Sequence, residues 1–339
     1  MANTINWGKI YESTYWGNTD NNISWGKAYA DLAGVVPALV SEFVSRVEAD
    51  GGSVESTECM STDLTFLVNN PEPPAPSAFD ADYQAILDRS TALGYTAPSA
   101  TQQTLQNTLV TDLKTAGVWD KLDVFYCFAT DGDSDFATLN WKAPSSFQAT
   151  KTNSPTFTAN EGFAQSGTAS LDTGFVLNAN GTNYTQDDAG VFVAFPTLGS
   201  TTKSNNRPFG HPATNNYLSA RIDFNGGSTN NRIWINSTSN RLSNYFVNKE
   251  DDTIHFYNRT SSTSVNQRNT DLFNEDTRTH SGDVSSQPLI NEELILLKYF
   301  GGYFEQTAKM GIFALGSSLT TTEMEAVEEA WYTNYFTSL

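Results

Sequence analysis

The hydrophobic pattern of the chain begins with helical spacing and ends with strand spacing. Over residues 37–49, PALVSEFVSRVEA, the apolar residues Leu39, Val40, Phe43, Val44 and Val47 form one helical stripe. Pro37 suits a first turn, and Gly51-Gly52 ends the segment. SVESTECM (53–60) follows as a short strand or turn. The four prolines of NNPEPPAPSA (69–78) predict a stiff, extended linker and a domain boundary. Two more helices are expected after it. The first spans roughly 80–93 and stops at Gly94. The second starts at Ser99, where Ser-x-x-Gln reads as a capping box. It carries Leu105, Leu109 and Leu113, and Gly117 closes it.

From Leu122 onward the pattern is that of strands. LDVFYCFA (122–129) is apolar on both faces, as expected of a strand buried on both sides. YLSARIDF (217–224) alternates, with Ala220, Ile222 and Phe224 set against Ser219, Arg221 and Asp223. RIWIN, NYFV, TIHFY, LILLKYF and GIFAL continue the series, separated by Gly, Asn, Ser and Thr clusters. Many short strands joined by such turns predict a sandwich or jelly roll. The chain closes with SLTTTEMEAVEEAWYTNYF. Thr320-x-x-Glu323 reads as a capping box, and Glu323 and Glu325 complement the helix dipole. Met324, Val327, Trp331 and Tyr335 share one face that should pack on the sheet.

Composition agrees with a β-rich fold. Only 17% of residues are charged, so Asn, Thr and Ser supply most of the polarity. The net charge is −19, from 38 acidic and 19 basic residues, which disfavours nucleic acid and anionic membranes. Two cysteines, Cys59 and Cys127, make no disulfide framework and suggest buried thiols. The opening MANTINWGKIY has no apolar run, so no signal peptide is expected, and no window is long enough for a membrane helix.

Several segments carry a resemblance. VWDKLDVFYCFATDGDSDFATLNWKAP (118–144), SPTFTANEGFAQSGTASLDTGF (154–175), YNRTSS (257–262) and GIFALGSSLTTTEMEAVEEAWY (311–332) are similar to parts of a concanavalin A-like, laminin-G-like domain of bacteriophage virion proteins. FVSRVEADGGSVESTEC (43–59) resembles a small module that precedes that domain in phage tail, spike and fibre proteins. The resemblance implies an antiparallel two-sheet jelly roll of the concanavalin A-like type, carried on virions and touching host-surface glycans. It brings no catalytic motif. The expected layout is an N-terminal α+β attachment and oligomerisation module (1–72), a proline-rich linker with helices leading in (73–117), and the jelly roll (118–339) with its C-terminal helix. The implied protein folds in the host cytoplasm and resides in the virion. It is a spike, tail-fibre or capsid-surface protein, non-enzymatic and without cofactor, whose partners are other virion proteins, copies of itself and a host glycan. A purely architectural capsid or cement role is the alternative, with a glycan-degrading enzyme as a third reading.

Trp7-Gly8-Lys9-Ile10-Tyr11 and Trp25-Gly26-Lys27-Ala28-Tyr29 form a repeated motif within the first 36 residues, which the resemblance does not reach. So short a segment cannot bury its own core, so the aromatics are expected to pack on another chain or the neighbouring module rather than on a sugar. Glucanases of the concanavalin-like fold place paired carboxylates at alternate positions on one strand. The nearest run here, Lys249-Glu250-Asp251-Asp252-Thr253-Ile254-His255, lacks the second Glu and reads as a solvated loop. Asp131, Asp133 and Asp135 alternate as Ca²⁺ ligands do, but Phe136 and Lys142 stand where an EF-hand needs Gly and Glu, so a turn is expected. His211, His255 and His280 show no metal or triad spacing. The ligand-binding loops are expected within 199–216 and 225–231, with Tyr217, Trp234 or Tyr245 as stacking faces; for each aromatic alone, a core role is the simpler expectation.

Overall fold

The structure, a computed structural model, describes residues 79–197, 207–211, 218–221, 231–238, 241–244, 252–273, 275–299, 302–303 and 308–339. These belong to one unit, Phe79–Leu339. The repeated Trp-Gly-Lys motif, the 37–49 helix, Cys59, the proline-rich linker, Ile222, Phe224, Tyr217, Tyr245 and residues 249–251 lie outside the described residues.

Helix α1 (Ala81–Leu93) is capped by Asp80, whose side chain accepts from the Asp82 amide. It ends as expected: Gly94, at φ 74°, donates its N–H to Thr91 and the Tyr95 N–H reaches Ser90. Helix α2 (Ala100–Thr115) closes in the same way, with Gly117 N–H on Lys114 and Val118 N–H on Leu113. Its N-terminus corrects the sequence expectation. Ser99 Oγ accepts from the Gln102 amide, but Gln102 does not return the bond, because the Ser99 amide goes to Asp131 Oδ1. The Gln102 side chain turns to Thr130, Asn160 and the Asp131 amide. Half of the box is used for tertiary docking.

Among the described residues seventeen strands follow: β1 Leu122–Cys127, β2 Thr150–Thr152, β3 Thr156–Thr158, β4 Gly162–Ala164, β5 Ser170–Val176, β6 Ala189–Phe195, β7 Phe209–Gly210, β8 Leu218–Arg221, β9 Asn231–Ile235, β10 Arg241–Asn244, β11 Thr253–Arg259, β12 Ser264–Asp271, β13 Asp276–Asp283, β14 Glu293–Leu296, β15 Lys298–Tyr299, β16 Gly302–Tyr303 and β17 Ile312–Gly316. Helix α3 (Thr321–Glu328) closes the chain with a π turn after it. The main sheet is six-stranded and antiparallel, in the order β1-β17-β6-β11-β12-β13. Opposite it are a four-stranded sheet, β2-β5-β14-β7, and a three-stranded one, β10-β9-β8, with β8 beside β7. The mainly β, antiparallel, two-layer architecture with a C-terminal helix is the expected fold class.

Three layers result. Between the sheets, Val124, Tyr126, Val191, Val193, Phe313 and Leu315 of the main sheet meet Leu171, Phe175, Leu294, Leu296 and Phe209. On the other face, Phe125, Cys127, Phe192, Ala194, Ile254 and Phe256 pack under Tyr83, Ile86, Leu109, Leu113, Met324, Val327 and Trp331 of the helical layer. Strands β1, β6 and β17 are therefore buried on both sides, which explains why LDVFYCFA shows no alternation. The Thr320–Glu323 capping box forms in full, and Met324, Val327, Trp331 and Tyr335 are all buried as their spacing predicts. The helical layer also hides a polar knot. Gln106, fully buried, accepts from Tyr83 Oη at 2.8 Å and donates to Thr130 Oγ1 at 3.1 Å and Tyr335 Oη at 3.2 Å. This knot joins both leading helices, the loop after β1 and the C-terminal segment.

Candidate functional site: the polar half of the inner sheet face

Side-chain alternation and register place residues from neighbouring strands on common rows. Across the inner face of the main sheet, one row reads Tyr126, Phe313, Val193, His255, Asn269 and Arg278. The next reads Val124, Leu315, Val191, Tyr257, Gln267 and His280. A third brings Phe195, Thr253 and Asp271 together. The face is apolar over β1, β17 and β6, where it roofs the sandwich core, and polar over β11, β12 and β13. A core needs only the first half.

Thr253, His255, Tyr257, Gln267, Asn269 and Asp271 are all buried, and the band reaches solvent at Arg278 and His280 on the edge strand β13. His255 Nδ1 lies 2.9 Å from Asn269 Oδ1. An amide oxygen can only accept, so Nδ1 carries the ring proton and Nε2 is the acceptor nitrogen. Burial holds the imidazole's pKa down at about 4, against the smaller upward pull of the Asn269 bond, so His255 is neutral near pH 7. Its ring meets Phe195 edge-on and lies nearly parallel to Tyr257. Four buried side-chain atoms in the band have no hydrogen-bond partner among the described residues: Thr253 Oγ1, Gln267 Nε2, Gln267 Oε1 and Asn269 Nδ2. Left unmet, such a group costs about 1–3 kcal/mol. Arg259 closes the band beyond Tyr257. Its guanidinium donates to the carbonyls of Ile235 at 2.9 Å, Val284 at 2.8 Å and Ser261 at 3.1 Å.

The arrangement offers mainly neutral donors and acceptors, with the charged Arg259 and Asp271 at its two ends. The inner positions of β11 are Thr253, His255, Tyr257 and Arg259, and those of β12 are Val265, Gln267, Asn269 and Asp271. Carboxylates at alternate positions, as a two-carboxylate glycosidase would need, do not occur among these eight.

The other candidates are occupied structurally. Asp131 Oδ1 accepts from the Ser99 amide, and Asp133 accepts from the amides of Thr96, Asp135 and Phe136, bonds that hold its pKa below the usual carboxylate value against burial. Asp135 pairs with Lys151 at 2.7 Å. Asp131 and Asp133 therefore cap a turn and dock it on the α1–α2 connection, while Asp135 is held by its ion pair with Lys151. Among the described residues, no group of three or more His, Cys, Asp and Glu is placed to hold a metal. The histidines are dispersed: His211 is buried and accepts from the Leu218 amide, whereas His255 and His280 sit on separate rows of the inner face. Trp234 is core rather than a stacking platform, being 4% exposed with Arg207 over its ring. The band residues Gln267 and Asn269 were not singled out from the sequence. The signal was available in VNQRNTD (265–271), where polar residues occupy the positions that face inward.

No family model matches the chain, and no curated protein matches it. Solved structures give distant likenesses. Domain 4 of AbnA, an extracellular arabinanase from Geobacillus stearothermophilus solved with arabinotriose, is 12% identical over 62% of this chain and 98% of its own, with a TM-score of 0.36. The binding domain of botulinum neurotoxin serotype D is 11% identical over 63% of this chain and 52% of its own, at 0.43. The enzymatically active domain of tailspike protein 2 from bacteriophage CBA120 is 9% identical over 53% of this chain and 29% of its own, at 0.35. At these scores the likenesses carry no functional argument, and the chain is described as a β-sandwich on its own geometry.

Proposed function

We propose that this chain is a bacteriophage virion structural protein whose β-sandwich binds a host-surface glycan without cleaving it. The observation that carries the binding half is the polar band, with four buried side-chain atoms that no described protein group satisfies. A polyhydroxylated ligand supplies donors and acceptors to such amides and hydroxyls, which an apolar ligand cannot. The pattern of inner residues on β11 and β12 supports binding without hydrolysis. The phage half rests on the resemblance of 118–144, 154–175 and 311–332 to virion domains. In this reading residues 1–72 attach the protein to other virion proteins and to copies of itself. Weak sites, near millimolar each, gain useful adhesion from several copies.

The test is binding of the purified full chain to host cells and to a glycan array, with Gln267→Met and Asn269→Leu as site variants. Glycan-dependent binding that both variants weaken is the expected result. Binding that survives removal of surface glycans overturns the reading, and release of reducing sugar ends makes the protein an enzyme. No glycan binding, with particle incorporation dependent on residues 1–72, leaves the architectural role instead.

A further inference from the structure

The outer face of the main sheet carries a second concavity. The helical layer covers β1, β17, β6 and β11, where the outward core residues are apolar up to Asn258, but not the far end of the hairpin β12–β13. There Asn266 pairs with Ser281 and Arg268 with Thr279. Across from this hairpin runs the turn 317–321. Together they line a groove of about 640 Å³ that holds the hydroxyl residues Thr279, Ser281, Ser317, Ser318 and Thr321, the apolar Leu319 and Met324, and two residues of the inner-face rows, Gln267 and His280.

The walls are held firmly. Each backbone N–H from Ser317 to Thr320 has a fixed acceptor: Lys121 O at 2.9 Å, Asp188 Oδ1 at 2.8 Å, Asn258 Oδ1 at 3.1 Å and Glu323 Oε2 at 2.7 Å. Gly316, just before, lies so close to β1 that an added Cβ would stand 2.0 Å from Lys121 O. On the opposite wall Arg268 grips Glu328 with two bonds of 2.8 Å. Asn258 Nδ2 ties the walls together, donating to Asn266 Oδ1 and Leu319 O at 3.1 Å each. Binding in such a preformed groove pays little for ordering its side chains.

The charges lining the groove are mutually engaged. Arg268 is paired with Glu328, Lys121 with Glu323 at 2.7 Å, and Asp188 holds the Ser318 amide. An ionic ligand would have to displace one of these, whereas hydroxyls on a rigid frame need only hydroxyl partners. The volume lies within the range of small-molecule sites. We infer that this groove is a second carbohydrate site, separate from the inner-face band, that takes one or two residues of a neutral sugar with its C–H face on Met324 and Leu319. The groove is built mainly on the outward residues Asn266, Arg268, Thr279 and Ser281, although Gln267 and His280 also line it, so the test reads the two sites separately.

The experiment is amide shift mapping by NMR on the full chain with maltose, cellobiose and N,N′-diacetylchitobiose as neutral probes and glucuronic acid as the charged one. The expected result is movement of Ser317–Thr321 and Thr279–Ser281 with at least one neutral disaccharide. Thr279→Trp and, independently, Ser281→Trp fill the groove from exposed positions and should weaken that binding at least tenfold, with the remaining spectrum unchanged. Three results overturn the inference: no movement of the groove amides, equal movement in both variants, or stronger movement with glucuronic acid. Shifts confined to Asn269 and its neighbours would overturn the groove while leaving the proposed function standing. No shifts anywhere would count against both.

Discussion

Gln267→Met should make the protein more stable and less able to bind sugar. Gln267 is 1% exposed, and neither atom of its amide has a partner among the described residues. Each such orphan costs about 1–3 kcal/mol, and methionine removes both while keeping the unbranched shape of the side chain. The new thioether would lie in the row of Tyr257, with Val265 two residues along the strand on the same face. Partial solvation of the amide offsets some of the gain, so the expected change is about 2 kcal/mol. For a domain of this size that is a rise in Tm of roughly 4–8 °C. Urea denaturation gives the change directly, provided the slope m is the same in both proteins. A glycan-binding assay on the same samples completes the measurement. A variant less stable by about 1 kcal/mol or more would show that the native state satisfies the amide, and the band would lose its basis as a site. A variant that is stabilised but binds sugar as before would show that the cost has another origin. Natural proteins accept such costs where function needs them.

Three further outcomes follow from the same geometry. Glu328→Gln should cost about 3 kcal/mol in denaturant unfolding, because it leaves Arg268 buried without its bidentate carboxylate, and the double variant Arg268→Met, Glu328→Leu should recover much of that loss. Stability should fall between pH 6.5 and about 4, because the unfolded chain protonates His255 and His211 in that window while the two buried native imidazoles, both held down at about 4, stay neutral; at 1.36 kcal/mol per pH unit the native advantage of each reaches about 3 kcal/mol at pH 7, and His255→Gln should remove about half of the fall measured by urea titration. Asp133→Ala should cost about 1–2 kcal/mol through loss of its bonds to the Phe136, Asp135 and Thr96 amides, and millimolar CaCl₂ should leave the Tm of the unsubstituted protein unchanged in calorimetry.

Much of the fold was legible locally. Gly94 and Gly117 stop their helices because αL geometry is a property of the residue, and Thr320-x-x-Glu323 caps its helix because all the partners lie within four residues. Period-two patterns and an unalternating LDVFYCFA announced strands, some buried on both faces. What could not be read locally was where polar side chains would find partners. Ser99 and Gln102 look like a capping box, yet Asp131, about thirty residues away, takes the Ser99 amide. Gln106 sits in a stretch that reads as helix surface, but the fold brings Tyr83, Thr130 and Tyr335 to it. Asp131, Asp133 and Asp135 have the spacing of metal ligands, and only the tertiary fold gives the first two backbone amides of the α1–α2 connection and the third Lys151. Trp234 is core, the simpler of its two expectations, and only the fold sets Arg207 over its ring.

The candidate site was the least legible part. Thr253, His255, Gln267 and Asn269 lie on two strands, and neither strand alone shows a motif. Antiparallel register places His255 opposite Asn269 and Tyr257 opposite Gln267, and the order of strands then gathers every polar row at one side of the face. Which segments become strands and helices could be read along the chain, since backbone conformation and hydrophobic period depend on near neighbours. The tertiary structure alone decided which side chains share a surface, since strand pairing joins residues that are distant in the chain.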